Sequence, residues 1–127
     1  ADPYTGEDVV AFPAISCDVA VIHALRADRF GNAILGGNLA VDVELSLVAE
    51  RVIVTAEEVV ERLEPEQGER AEISGLPVTA VVHAPHGAWP TSCYPRYPLG
   101  GEELMRYTES CPAGFEEYVR GFLARLG

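Results

Sequence analysis

Three short apolar runs constrain this chain more than any other feature: Asp18–Ala24 (DVAVIHA), Arg51–Thr55 (RVIVT) and Val78–His83 within LPVTAVVHAP. A strand with one wet face alternates apolar and polar residues, whereas a strand covered on both faces reads as a near-continuous apolar run. These runs are of the second kind. The segments between them carry helical patterns. After the Gly31-Asn32 turn and the Gly36-Gly37-Asn38 punctuation, LAVDVELSLVAE places Leu39, Val43, Leu47 and Val48 on one helical face. Thr55 followed by AEEVVERL then reads as a capped second helix, with Glu57 and Glu58 in a first turn where the helix dipole favours them. The order strand, helix, strand, helix, strand implies parallel strands joined by right-handed crossovers. The predicted fold is therefore α/β: a three-layer, open, mostly parallel sheet with helices on both faces.

The remaining segments are less regular. VVAFPAI, before the first run, is a weaker strand candidate, and its Pro13 cannot donate to a ladder, which confines it to an edge or a strand end. EPEQGERAEISG is a polar surface loop. The stretch HGAWPTSCYPRYPLGG interleaves prolines with His86, Trp89, Tyr94 and Tyr97, which makes it too stiff for a regular element and suits it to wrap over something. GEELMRYTE and GFEEYVRGFLARL read as closing helices, the last with Phe115, Tyr118, Val119, Phe122 and Leu126 near one stripe. No internal repeat or linker divides the chain, so residues 1–127 read as a single domain.

Charge excludes two classes of partner. A net charge of −11 repels nucleic-acid backbones and anionic membrane surfaces. All the basic residues are arginine, which removes lysine Schiff-base chemistry and a phosphate-gripping lysine. Cys17, Cys93 and Cys111 are an odd number without CxxC spacing, so they are expected to be reduced thiols rather than a disulfide framework or zinc knuckle. No apolar run approaches the roughly 20 residues of a membrane span, and no signal-peptide pattern is present, which together predict a soluble, cytoplasmic protein.

In a parallel α/β sheet ligands sit beyond the carboxyl ends of the strands, where His23–Asn32 and His83–Pro95 both fall. Each candidate there also has a plain structural role. Asp28, Gly31 and Asn32 suit a turn in which Asp accepts backbone N–H bonds and Gly takes positive φ. His23 suits a hydrogen-bonded strand end. His83, His86 and Cys93 lack a helix or a carboxylate at ligand spacing, so no metal site is expected. Thr91-Ser92-Cys93 has neither a neighbouring base nor a GxSxG elbow. Glu57 and Glu58 are accounted for by the dipole, Trp89 by packing, and Gly36-Gly37 lacks the GxGxxG spacing.

Taken together, DVAVIHALRADRFGN, the helix after it, RVIVTAEEVV and VTAVVHAPHGAWPTSCYP resemble the alpha (A) subunit of family I CoA-transferases, that of glutaconate CoA-transferase in particular. The HA-x-x-AD-x-x-GN and GA-x-PTSCYP loops are the most specific pieces, and the likeness runs from about Tyr4 to the last helix. The resemblance implies a C-terminal half of an A subunit, since the glycine-rich first half of that family has no counterpart before Tyr4. It implies a beta subunit of similar fold that carries the catalytic glutamate, coenzyme A as substrate with no bound cofactor, and transfer of CoA from an acyl-CoA to a free carboxylic acid. An acyl-CoA hydrolase, a ring-opening hydrolase and a non-catalytic assembly module are the alternatives on the same fold. The substrate-binding candidates on this reading are His23, Asp28, Gly31, Asn32, Ser92 and Cys93, with the RADRFGN loop in a supporting role and no nucleophile in this chain.

Overall fold

The computed structural model describes residues 1–110 and 114–126; Cys111 and the side chain of Leu126 lie outside the described part. A four-stranded sheet organises the molecule, with spatial order β2-β1-β3-β4. Its strands are β1 (Cys17–Asp28), β2 (Ala33–Ile34), β3 (Ala49–Val60) and β4 (Val78–His83). The pairs β1–β3 and β3–β4 are parallel, and the short β2 turns back antiparallel on the end of β1. The α/β class and the mostly parallel sheet follow the expectation. All three apolar runs are strands, and the first two extend beyond the predicted ends.

One sheet face is the core. Ala20, Ile22 and Ala24 of β1 and Val52, Val54 and Ala56 of β3 alternate onto it, joined by Leu35 and Ile73 from the flanking loops. The helix α1 (Asp42–Val48) lies over this face, with Val43 packed against the cluster. On the other face Val19 and Val21 are exposed toward the start of β1, and Val82 is exposed near the end of the edge strand β4. Toward the carboxyl ends that same face is covered by the loop after β4, which leads into α2 (Gly101–Ser110) and α3 (Phe115–Leu126). An aromatic ladder of Trp89, Phe122, Tyr118 and Tyr107 ties the loop to both helices.

The helix expected over LAVDVELSLVAE is only Asp42–Val48, with Leu39, Leu47 and Val48 of its expected apolar face exposed and Ala49-Glu50 already in β3, and two further sequence expectations are corrected. The segment AEEVVERL is no helix: β3 continues through Ala56, Glu57, Glu58 and Val59 to Val60, so Thr55 is a mid-strand residue and not a cap. The cause is pairing. β1 runs on to Asp28 and offers an open ladder, to which Ala24, Arg26, Ala27 and Asp28 bind Ala56, Glu58, Val59 and Val60 in register. A tertiary ladder outweighs the few tenths of a kcal/mol by which Ala and Glu prefer helix. The connection from β3 to β4 is consequently irregular, pinned by the bridge between Ala33 and Ile73. The second correction concerns VVAFPAI, which forms no strand; Val9, Val10, Phe12 and Ile15 are exposed, and Pro13 interrupts any ladder.

The Asp28–Asn32 turn has the geometry its residues suggest. Asp28 is buried, and its carboxylate accepts N–H bonds from Phe30, Asn32 and Leu63 and from the Asn32 amide. Burial pushes its pKa up, but these donors outweigh burial and hold it below the usual carboxylate value. Gly31 has φ +91°, and a Cβ there would lie 2.6 Å from Val78 Cβ, so both conformation and space require glycine.

Candidate functional site

The continued β3 brings Glu57 to the carboxyl edge of the sheet, on the same face as His23 and Thr55, two residues further along. There it becomes the hub of a half-buried network. Glu57 Oε1 lies 2.8 Å from His23 Nε2 and accepts from the Tyr97 hydroxyl at 2.6 Å, while Oε2 accepts the His86 N–H at 2.9 Å. The carboxylate is the acceptor, so His23 Nε2 carries the proton; its Nδ1 lies 2.8 Å from Thr55 Oγ1. Tyr97 is bound at both ends, since its oxygen also accepts the Ala88 N–H at 3.0 Å.

The bonds from the Tyr97 hydroxyl and the His86 N–H to Glu57 clamp the loop after β4 onto the sheet, while His23 ties Glu57 and Thr55 to β1. The ring of His86 stacks on Tyr97 with centroids 5.0 Å apart, and His86 holds φ +58°, a conformation a non-glycine residue rarely adopts without support from its surroundings. Gly87 passes so near that a Cβ would meet His23 Cε1 at 2.8 Å. From the other side, Asn38 donates to Tyr94 O and accepts from Tyr94 N, at 2.8 and 3.0 Å. The peptide bonds before Pro90 and Pro95 are cis.

Titration in the network follows from these contacts. Burial raises the Glu57 pKa, yet the hydrogen bonds from Tyr97, the His86 N–H and His23 overcome it, so the carboxyl stays ionised below its ordinary range. Tyr97 is driven upward, first by burial and then by its bond to the Glu57 carboxylate. Cys93 is buried, and burial followed by the nearby Glu57 charge raises its thiol as well. A thiol so placed is a poor nucleophile.

The sequence-derived candidates therefore divide. His23 and Cys93 come together around Glu57, with donor atoms of the three within 4.8 Å of one another. His83 and His86 do not join that trio: His83 Nε2 bonds the Glu57 carbonyl oxygen at 3.2 Å, and His86 contributes its backbone. Both Glu57 oxygens and both His23 nitrogens are already engaged, so the trio is arranged as a hydrogen-bonded brace. Asp28, Gly31 and Asn32 form the separate turn described above, and Ser92 is exposed on the loop. Glu57 as a hub and Tyr97 as its partner were missed. The available signal was parity: if β3 continues past Thr55, Glu57 must face the way His23 does.

No family model matches the sequence. Among curated proteins, the A subunit of 3-oxoadipate CoA-transferase from Pseudomonas knackmussii is 37% identical over 125 residues, 94% of this chain and 44% of that protein. The A subunit of glutaconate CoA-transferase from Acidaminococcus fermentans is 41% identical over 106 residues, 80% of this chain and 32% of that one. The IpdA subunit of the cholesterol ring-cleaving hydrolase from Mycobacterium tuberculosis is 30% identical over 128 residues, 93% of this chain and 42% of its own. Among solved structures, the decarboxylase AibA/AibB superposes with a TM-score of 0.84 at 37% identity, covering 97% of this chain and 45% of that chain. The chain spans less than half the length of each of these proteins. Over nearly its whole length it is a homologue of the A subunits of CoA-transferases and shares their α/β fold.

Proposed function

We propose that this chain is part of the A subunit of a CoA-transferase, and that it acts with a beta subunit to move CoA from an acyl-CoA to a free carboxylic acid. Similarity to two such A subunits supports the reaction class. The observation in the molecule that carries the reading is the state of Glu57. It is a carboxylate at the carboxyl end of the sheet, beside His23, yet its oxygens are taken up by Tyr97, His23 and the His86 N–H. A carboxylate held this way braces a loop and does not attack a thioester, in keeping with what the family resemblance implies, a nucleophilic glutamate on the beta subunit.

On this reading the partner's carboxylate attacks the acyl-CoA carbonyl, giving a mixed anhydride and the CoA thiolate. The thiolate reopens the anhydride at the glutamyl carbonyl, releasing the first acid and leaving a glutamyl-CoA thioester, and the second acid then reverses both steps. On this reading the Gly87–Pro95 loop, whose Ser92 and Tyr94 are exposed, is the part of this chain that would face that centre. His23, Asp28, Gly31 and Asn32 support its edge. Coenzyme A is a substrate in this scheme and no cofactor is needed.

A second reading has direct support from likeness to one subunit of a ring-cleaving hydrolase and to a decarboxylase. It keeps the scaffold and replaces the acceptor acid with water or with proton transfer. Co-purifying the protein carrying this chain with its beta partner, and following CoA movement between two acids, separates the two. Transfer that needs both subunits, with the glutamyl thioester found on the partner by mass spectrometry, is the expected result. Thioester loss without an acceptor acid, or turnover by this chain alone, would overturn it.

A further inference from the structure

We propose that the cleft between the loop after β4 and helices α2 and α3 binds an oxyanion, the carboxylate of an organic acid or a phosphate of an acyl-CoA, gripped by Arg106 and Arg125 beside the wall formed by Trp89 and Phe122. The cleft rests on the CoA-transferase reading only for which anion it meets in the cell, a substrate carboxylate or a phosphate of CoA. Its volume is about 830 Å³, within the range of small-molecule sites.

The fixed placement of two guanidiniums in the cleft is the first argument. Glu103 has a side chain only 2% exposed, and its two oxygens are divided between Arg125 Nη2 at 2.6 Å and Arg106 Nη1 at 2.8 Å. One buried carboxylate thus fixes two guanidiniums; Glu102 on the same lining brings the formal charge of the four side chains to zero, so what the cleft offers an anion is fixed guanidinium donors and not net charge. Each arginine spends part of a five-donor fork on Glu103 and remains about half exposed, at 56% and 48%. Glu102 approaches Arg106 only at 3.8 Å and is 94% exposed, so solvent screens that pair. The other side of the same guanidiniums borders Glu109 and Glu117, so an anion that meets both arginines beside an apolar wall does so from the cleft. In a chain of net charge −11, two arginines held in one cleft by a buried acid are not a by-product of overall charge.

Shape is the second. Trp89 and Phe122 lie nearly parallel, with centroids 5.6 Å apart and planes 6° apart. Gly100 lets the indole settle there, since a Cβ would come within 2.8 Å of Trp89 Nε1, and Gly101 opens onto free space. A planar cationic fork beside an apolar wall suits an oxyanion with a carbon body attached, and the forks are in place before the ligand arrives.

Trp89 is the sole tryptophan of this sequence, so tryptophan emission, excited selectively over tyrosine, reports on this cleft. Titration of the chain with glutarate, inorganic phosphate and adenosine 3′,5′-bisphosphate should give a saturable change with at least one probe, weakened by added salt. Preference for glutarate assigns the site to a substrate carboxylate, and preference for the bisphosphate to the nucleotide end of CoA. Arg106→Gln and Arg125→Gln should each weaken binding about tenfold or more, as loss of a charge-assisted contact does. Arg125→Lys, which keeps the charge on Glu103, guards against misfolding and should lose less. Arg96→Gln, whose guanidinium pairs with Glu58 outside the cleft, should bind like the parent. No saturable response to any probe, or parental affinity in both glutamine variants, overturns the proposal. A two-subunit enzyme that transfers CoA while Trp89 ignores all three probes overturns the cleft alone, whereas binding without transfer overturns only the reaction proposed above.

Discussion

The Tyr97 hydroxyl donates to Glu57 Oε1 at 2.6 Å, joining residues 40 positions apart and pinning the loop after β4 to the sheet edge. Removing that hydroxyl leaves a half-buried carboxylate short of a donor and the Ala88 N–H short of an acceptor. Tyr97→Phe should therefore cost about 1.5–3 kcal/mol of stability, the worth of a hydrogen bond to a charged group. Chemical denaturation checks it. A loss under about 0.5 kcal/mol would show that water replaces the hydroxyl and that the network does not hold the loop.

Acid should release the same clamp. Glu57 has its pKa lowered in the folded chain from an ordinary value of 4.5. A carboxyl with a depressed folded-state pKa stabilises the fold fully above its unfolded value, and that contribution is lost as pH falls through the folded value. Thermal melts should thus decline as pH drops below about 4.5, and Glu57→Gln should flatten part of that decline while lowering stability at neutral pH. An identical pH slope in the glutamine variant would remove Glu57 as a contributor; Asp28, lowered from 3.8, accounts for a further acid-side loss.

Gly31→Val should destabilise the fold by about 3 kcal/mol or more, because it combines φ +91° with a Cβ 2.6 Å from Val78. His23→Ala removes contacts to Glu57 and Thr55 and should cost less, about 1–3 kcal/mol. Parallel melts of the two variants test the order. A valine variant as stable as the parent, beside an alanine variant that abolishes turnover of the assembled enzyme, would mean that His23 acts in chemistry and not as a brace.

Cys93 should react slowly with thiol reagents. Its side chain is buried, and both burial and the Glu57 charge raise its pKa, so little thiolate is present near neutrality. Labelling followed by peptide mass spectrometry should find the more accessible Cys17 modified first. Glu57→Gln removes the charge and should speed Cys93 labelling; unchanged kinetics in that variant would leave burial as the whole explanation.

Much of this molecule was legible in its residues taken alone, and the limit falls at a physical boundary. Val and Ile runs announce strands because β-branched, near-continuous apolar segments suit a buried ladder, and all three such runs became strands. Asp28, Gly31 and Asn32 announce their turn because its chemistry is local: one short carboxylate, one amide and one glycine within five residues. Thr55-Ala-Glu-Glu carries an equally clear local preference for a capped helix, and there the local preference loses. Glu57 sits in a strand because β1 extends far enough to pair with it, and it is a hub because Tyr97 and His86 reach it from about 30–40 residues away. Sequence sets what each short segment prefers; only the tertiary ladder, whose summed hydrogen bonds exceed any single helix propensity, decides which preference is overruled and which side chains meet.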